Sequence, residues 1–153
     1  MPRNDFDRVL PVTASPDRCW AVLTDVPRLV EWVSIVDKAV EIDRLAHYTA
    51  VLADRLGPFK LRADLDITLH DVAEGRHLAV HAEGEDRQVG SRLAVDATLD
   101  LEAYDGAGTS VRVAGTYEVT GRVAAMGSAT ITRKAQRIID EFFTRAAEEL
   151  GSP

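Results

Sequence analysis

Between Phe59 and Leu69 the residues alternate without a slip. Phe59, Leu61, Ala63, Leu65, Ile67 and Leu69 are apolar, and Lys60, Arg62, Asp64, Asp66 and Thr68 between them are polar. Successive side chains of a strand point to opposite faces, so this period describes one strand with a dry face and a wet face. A dry face cannot stay open to water, and something else in the chain must cover it.

The same period returns at Leu93, Val95, Ala97, Leu99 and Leu101, and again at Val111, Val113, Tyr117 and Val119. Weaker strands fit Asp5–Ala14, Ala39–Asp43, Tyr48–Leu56 and Arg76–Glu83. The punctuation is Gly57-Pro58, Glu74-Gly75 and Asp105-Gly106-Ala107-Gly108. Such short connections join hairpins, so the sheet is expected to be antiparallel.

Two short helices follow the first strand. Ser15-Pro16-Asp17 supplies an N-cap, a first-turn proline and an acid at the positive helix end. Pro27 ends that helix and starts another over Arg28–Val33. From Arg122 to Leu150 the period becomes helical. Ile131, Ala135, Ile138, Phe142 and Ala146, widened by Ile139 and Phe143, form the stripe. Arg133, Lys134, Arg137, Asp140, Glu141, Arg145 and Glu148 are expected on the other face. A helix of that span is roughly 40 Å long and can cross a whole sheet. Gly127 and Ser128 within it read as a place of close packing against a strand, or as a mobile segment gating a cavity.

The chain has 153 residues and a net charge of −7, with 28% charged residues. That length suits one domain spanning residues 1–153. The charge disfavours nucleic acid as a partner, and it also disfavours charge-driven binding to an anionic lipid surface, because no polybasic cluster is present. Cys19 stands alone, so no intramolecular disulfide forms. No run has signal-peptide character or reaches the roughly 20 apolar residues of a membrane span. A cytoplasmic protein is expected.

Few residues carry obvious chemistry. His77 and His81 share a strand and a face but lie roughly 13 Å apart, too far to share a metal. His47 and His70 stand near strand ends. With no HExxH and no Cys/His cluster, neither a metal site nor a catalytic set is expected, and no cofactor is implied. Asp64, Asp66, Asp96, Asp100 and Glu102 read as the wet face of the sheet. Cys19, beside Trp20, reads as a buried small hydrophobe. Gly106-Ala107-Gly108 precedes a strand and so is a turn, not a phosphate loop. Tyr117 falls on an apolar face, buried or offering a hydrogen bond to a ligand.

The order of elements is strand, two short helices, six strands and one long helix. This is an α+β layout and resembles the helix-grip fold of the START-like (SRPBCC) superfamily, a curved antiparallel sheet wrapped around a long C-terminal helix. The opening Val12–Asp25 resembles the superfamily's. Leu56-Gly57-Pro58-Phe59-Lys60, Gly121–Gly127 and Phe142-Phe143 resemble the family of the carbon monoxide dehydrogenase G-subunit (CoxG). Trp32-Val33-Ser34-Ile35 stands where that family has a Cys-Ile-Pro-Gly-like turn. Pro153 stands where its membrane-tethering members continue into a long tail. The resemblance implies a pocket for a quinone- or lipid-like molecule and association with a molybdenum hydroxylase.

The expected cavity arises where the dry face and the helix stripe do not fully close, helped by the small residues Ala63, Ala82, Ala97 and Gly115. Its expected lining is Val33, Val51, Leu61, Leu78, Val80, Leu93, Val95, Tyr117, Met126 and Ile131. Non-catalytic binding is the leading expectation. The alternatives are a polyketide cyclase or dehydratase-like enzyme, which needs inward-facing His, Asp or Arg, and a protein-interaction or assembly module.

Overall fold

A computed structural model describes residues 3–56, 58–104 and 106–153; Gly57 and Asp105, members of two expected turns, lie outside these. The strands are β1 (Arg3–Val12), β2 (Val36–Asp43), β3 (His47–Leu56), β4 (Phe59–Ala73), β5 (His77–Asp86), β6 (Ser91–Tyr104) and β7 (Gly108–Gly121). The helices are α1 (Pro16–Leu23), α2 (Val26–Trp32) and α3 (Ser128–Leu150). All strand pairs are antiparallel, in the order β1-β7-β6-β5-β4-β3-β2.

The alternation sets the faces as expected. Leu65 lies opposite Gly84, Gly84 opposite Leu93, and Leu93 opposite Val119, so one apolar row crosses four strands. The next row is Ile67, Ala82, Val95 and Tyr117. α3 lies across this inner face. The outer face carries Arg62, Asp64, Asp66, His81, Asp96 and Arg112.

The small helices form where their caps put them. The Ser15 hydroxyl accepts the Arg18 N–H at 3.3 Å and opens α1. Pro27 lies in the first turn of α2, and the two helices bury Cys19, Trp20, Leu23 and Trp32.

The C-terminal helix is shorter than the sequence suggests. A 3₁₀ turn over Arg122–Met126 comes first, and α3 starts only at Ser128. Gly121 (φ +91°) and Gly127 (φ +99°) bracket that turn in backbone regions that side-chain-bearing residues avoid. A side chain at Gly127 meets nothing nearby. Its role is therefore to turn the chain, not to let a strand approach closely.

One end of the molecule is sealed. Thr13 and Ala14 donate backbone hydrogen bonds to the Gly151 and Leu150 carbonyls, each at 3.0 Å. Around this splice Val12, Trp20, Val22, Leu99, Leu101, Val111, Ala146 and Leu150 form a dry core.

Two strand features shape the other end. Gly115 has no room for a side chain, because a Cβ there would collide with the Asp96 carbonyl and Ala97. Phe6 lies opposite Gly115 on β1, and its ring approaches Tyr117 with centroids 6.4 Å apart. Asp86 closes the β5–β6 turn. Its buried carboxylate accepts N–H bonds from Arg62 (2.7 Å), Gln88 (3.0 Å) and Val89 (3.1 Å). These donors, Arg62 first, hold the Asp86 carboxyl below the usual range.

Two stability outcomes are expected. Gly115→Ala loses about 1–3 kcal/mol in urea denaturation, because the collision is with backbone that cannot yield cheaply. Asp86→Asn destabilises the fold at neutral pH by about 1.5–3 kcal/mol. Since the native pKa is lowered, the carboxylate stabilises the fold above its unfolded value. That contribution fades as pH falls through the native pKa, so wild type and variant converge in acid.

Candidate functional site

α3 does not lie flat on the sheet. Its C-terminal half is pinned into the sealed core, while its N-terminal half stands over the inner face and leaves a cavity of about 380 Å³. That volume falls within the range of small-molecule pockets. The sheet contributes Leu52, Leu61, Ala63, Leu93, Val95, Tyr117 and Val119. The helix contributes Ile131, Ala135, Ile138 and Ile139. Phe6, Val33, Ile35 and Val123 close the sides. The wall is almost wholly carbon.

Six of the ten expected lining residues meet here: Val33, Leu61, Leu93, Val95, Tyr117 and Ile131. The other four do not. The β3 register sets Val51 opposite Asp64 and Leu52 opposite Ala63, so Val51 faces outward and Leu52 inward. Leu78 and Val80 are on the inner face but further along the strand, where they pack in the sealed core. Met126 ends the 3₁₀ turn, half-buried and outside the cavity wall, because Gly127 breaks the helix that was to aim it inward. Of the small residues, Ala63 lines the cavity, while Gly115 is occupied by neighbouring backbone instead of leaving space.

The polar features are few and lie at the cavity's edge. The sequence pattern puts Lys134 on the solvent face of α3. Instead its ammonium meets the Asp54 carboxylate of β3 at 2.8 Å, with both side chains 25% exposed and both lining the cavity. The aliphatic stem of a lysine can lie along an apolar wall while its charge reaches a partner. Tyr117 turns its ring to the cavity. Burial pushes its phenol up, and the Thr132 hydroxyl pulls the other way.

Groups that could carry catalysis lie elsewhere. Among the described residues no histidine lines the cavity. His77 bonds Asp100 at 2.6 Å on the outer face, and His81 bonds Asp96 at 2.7 Å. The Asp96 and Glu83 carboxylates hold the His81 imidazolium pKa above its ordinary value. His47 pairs with Asp66, and His70 with Asp71. Arg62 and Asp64 do not face inward but line a polar hollow on the outer face. That hollow is larger, about 660 Å³, and ringed by charge. No group of three or more His, Cys, Asp or Glu among the described residues could hold a metal ion. Cys19 is fully buried, its Sγ 3.8 Å from the Ala14 carbonyl, and burial raises its thiol pKa.

Known structures share this fold. The fold matches a conserved protein from Geobacillus kaustophilus with a TM-score of 0.83 at 20% identity, over 96% of this chain and 95% of that one. A START superfamily protein from Mycobacterium smegmatis matches at 0.70 and 11% identity, over 94% of each chain. The Zhui aromatase/cyclase from Streptomyces sp. R1128 matches at 0.66 and 13% identity, over 98% of this chain and 97% of that one. At these identities the likeness shows the START-like fold alone. The sequence matches none of the curated proteins. The model of the family of the carbon monoxide dehydrogenase G-subunit (CoxG) matches residues 10–151. With that match spanning nearly the whole chain, the protein belongs to the CoxG family of carbon monoxide dehydrogenase.

Proposed function

We propose that this protein holds a hydrophobic small molecule, quinone- or lipid-like, beneath the N-terminal half of α3. The reading makes it a non-catalytic accessory of a molybdenum hydroxylase of the carbon monoxide dehydrogenase type. One observation carries the binding part: a cavity of about 380 Å³ walled by side-chain carbon inside an otherwise packed α+β fold. An empty apolar cavity forfeits dispersion contacts and destabilises its host, so an apolar occupant stabilises the fold by filling it. The partner rests on family membership. The ten residues expected as lining reduce, in this reading, to the six gathered at the cavity, with Leu52, Ala135, Ile138 and Ile139 added.

The test is native mass spectrometry of freshly purified protein, followed by organic extraction. A stoichiometric apolar molecule is the expected result; a protein that carries none, and takes up none when offered quinones or acyl lipids, sinks the reading. Val95→Trp fills the cavity from the sheet side and should lower bound ligand about tenfold or more, equivalent to ~1.4 kcal/mol. Circular dichroism checks that the variant keeps its fold. Lys134→Met cuts the tie between α3 and β3 at the cavity edge. A partly exposed ion pair contributes up to about 1 kcal/mol, so release of a bound apolar fluorophore should quicken by up to roughly fivefold. Stopped-flow displacement reads that rate.

A further inference from the structure

The cavity wall is carbon, but its edge is polar, and the polar groups there are unevenly engaged. Three carboxylates touch the wall: Asp54, Glu85 and Asp86. Each already holds a donor. One Asp54 oxygen accepts the Arg55 N–H at 2.8 Å, and the other faces the Lys134 ammonium at 2.8 Å. Glu85 pairs with Arg87 at 3.2 Å. Asp86 accepts three backbone N–H groups. The Ser91 hydroxyl accepts the Val123 N–H at 3.0 Å. The Tyr117 phenol is engaged by the Thr132 hydroxyl.

What remains is donors. A lysine ammonium has three N–H groups, and Asp54 takes one. Among the described residues Lys134 has no second carboxylate partner. Its side chain is largely shielded and lines the cavity between Ile131 and Ile138, so the ammonium stands where the apolar wall ends. Arg92 is the other cation of the wall and forms no ion pair among the described residues. It lies opposite Glu85 and is exposed, so water competes for its donors.

A polar head reaching this edge meets an ion pair, not a lone charge. A cationic head is repelled by the ammonium. An anionic head meets the Asp54 carboxylate beside that same ammonium. Either adds a third charge to a pair that is neutral as a whole, and the cost of taking it from water outweighs the added attraction. A neutral carbonyl oxygen has no such penalty. It accepts an N–H that Asp54 leaves free, from a charged donor, which makes the stronger kind of hydrogen bond. We infer that Lys134 sets the specificity of the cavity by donating to a carbonyl oxygen, so that the molecule held is neutral and bears an acceptor: a ketone, an ester or a quinone, not a fatty acid, an amine or a plain hydrocarbon. The inference rests on the ligand-binding reading and narrows it.

Displacement of the neutral fluorophore N-phenyl-1-naphthylamine from the whole protein by decane, 2-decanone, decanoate and decylamine tests it. 2-Decanone is expected to bind about tenfold tighter than decane, as one hydrogen bond from a charged donor implies, with decanoate and decylamine weaker than the ketone. The readout is the ratio of ketone to decane affinity, because a general loosening of the cavity weakens both and leaves the ratio unchanged. In Lys134→Met, which keeps the apolar stem, the ratio falls to near one. Lys134→Arg keeps donors and restores it. In Asp54→Asn the ammonium loses its counter-charge, and decanoate overtakes 2-decanone. A ratio near one in the wild type, or one that survives Lys134→Met, overturns the inference and leaves ligand binding standing. If the fluorophore does not bind and none of the four is taken up, the ligand-binding reading falls and the inference with it.

Discussion

The splice between β1 and the end of α3 governs this molecule. Two backbone hydrogen bonds, from Thr13 and Ala14 to Gly151 and Leu150, tie the helix C-terminus to the point where β1 leaves the sheet. The Thr13 hydroxyl adds a third, to the Leu150 carbonyl at 3.3 Å. Ala146 and Leu150, at 0% and 2% exposure, then have no choice but to pack against Val12 and Val111. A straight helix held hard at one end of a curved sheet cannot also touch it at the other. The gap under Ile131, Ala135 and Ile138 is the geometric result. The gap is roofed by side-chain contacts and crossed by the ion pair of Lys134 with Asp54.

Charge follows the same axis. The sealed end is tied by the splice and by Glu149, which pairs with Arg18 and Arg28, and its turns expose Asp43, Asp71 and Glu74 beside Arg44 and Arg76. At the cavity end the Arg62, Arg87 and Arg3 guanidiniums and the Lys134 ammonium are each spent on a nearby carboxylate. The basic residues left without an ion pair there among the described residues, Arg55, Lys60, Arg92, Arg122 and Arg133, outnumber the unpaired acids Asp5 and Asp64. Opening and charge excess therefore coincide because the turns that rim the opening are short, and the few acids on them are drawn into pairs or into capping.

Much of this was legible in the residues. On β4, β6 and β7 strict alternation fixed which face is dry, and thereby placed Leu61, Leu93, Val95 and Tyr117 at the cavity. On β3 the run Tyr48-Thr49-Ala50-Val51-Leu52-Ala53 is apolar on both parities, so the pattern could not choose between Val51 and Leu52; the pairing with β4 does. Parity also says nothing of position along a strand. Leu78 and Val80 share the inner face with Val95 but belong to the sealed core, a fact set by where the splice lies. Gly127 was visible as a helix-breaking residue, but its positive φ, and hence the loss of Met126 from the lining, is a backbone property. The charge of Lys134 pointed to solvent. Its position between Ile131 and Ile138 on the stripe carried the opposite signal.

Basic residues scattered at 55, 60, 92, 122 and 133 show no cluster in sequence, and folding alone gathers them. The stability of such a protein is correspondingly uneven. Where Val12, Cys19, Val22 and Val111 exclude water almost completely, opening requires unfolding of the core. Where α3 spans the cavity, a small movement exposes little new apolar surface, because that surface is already unpacked. Opening of the cavity end can therefore proceed while the splice at the other end keeps the fold intact.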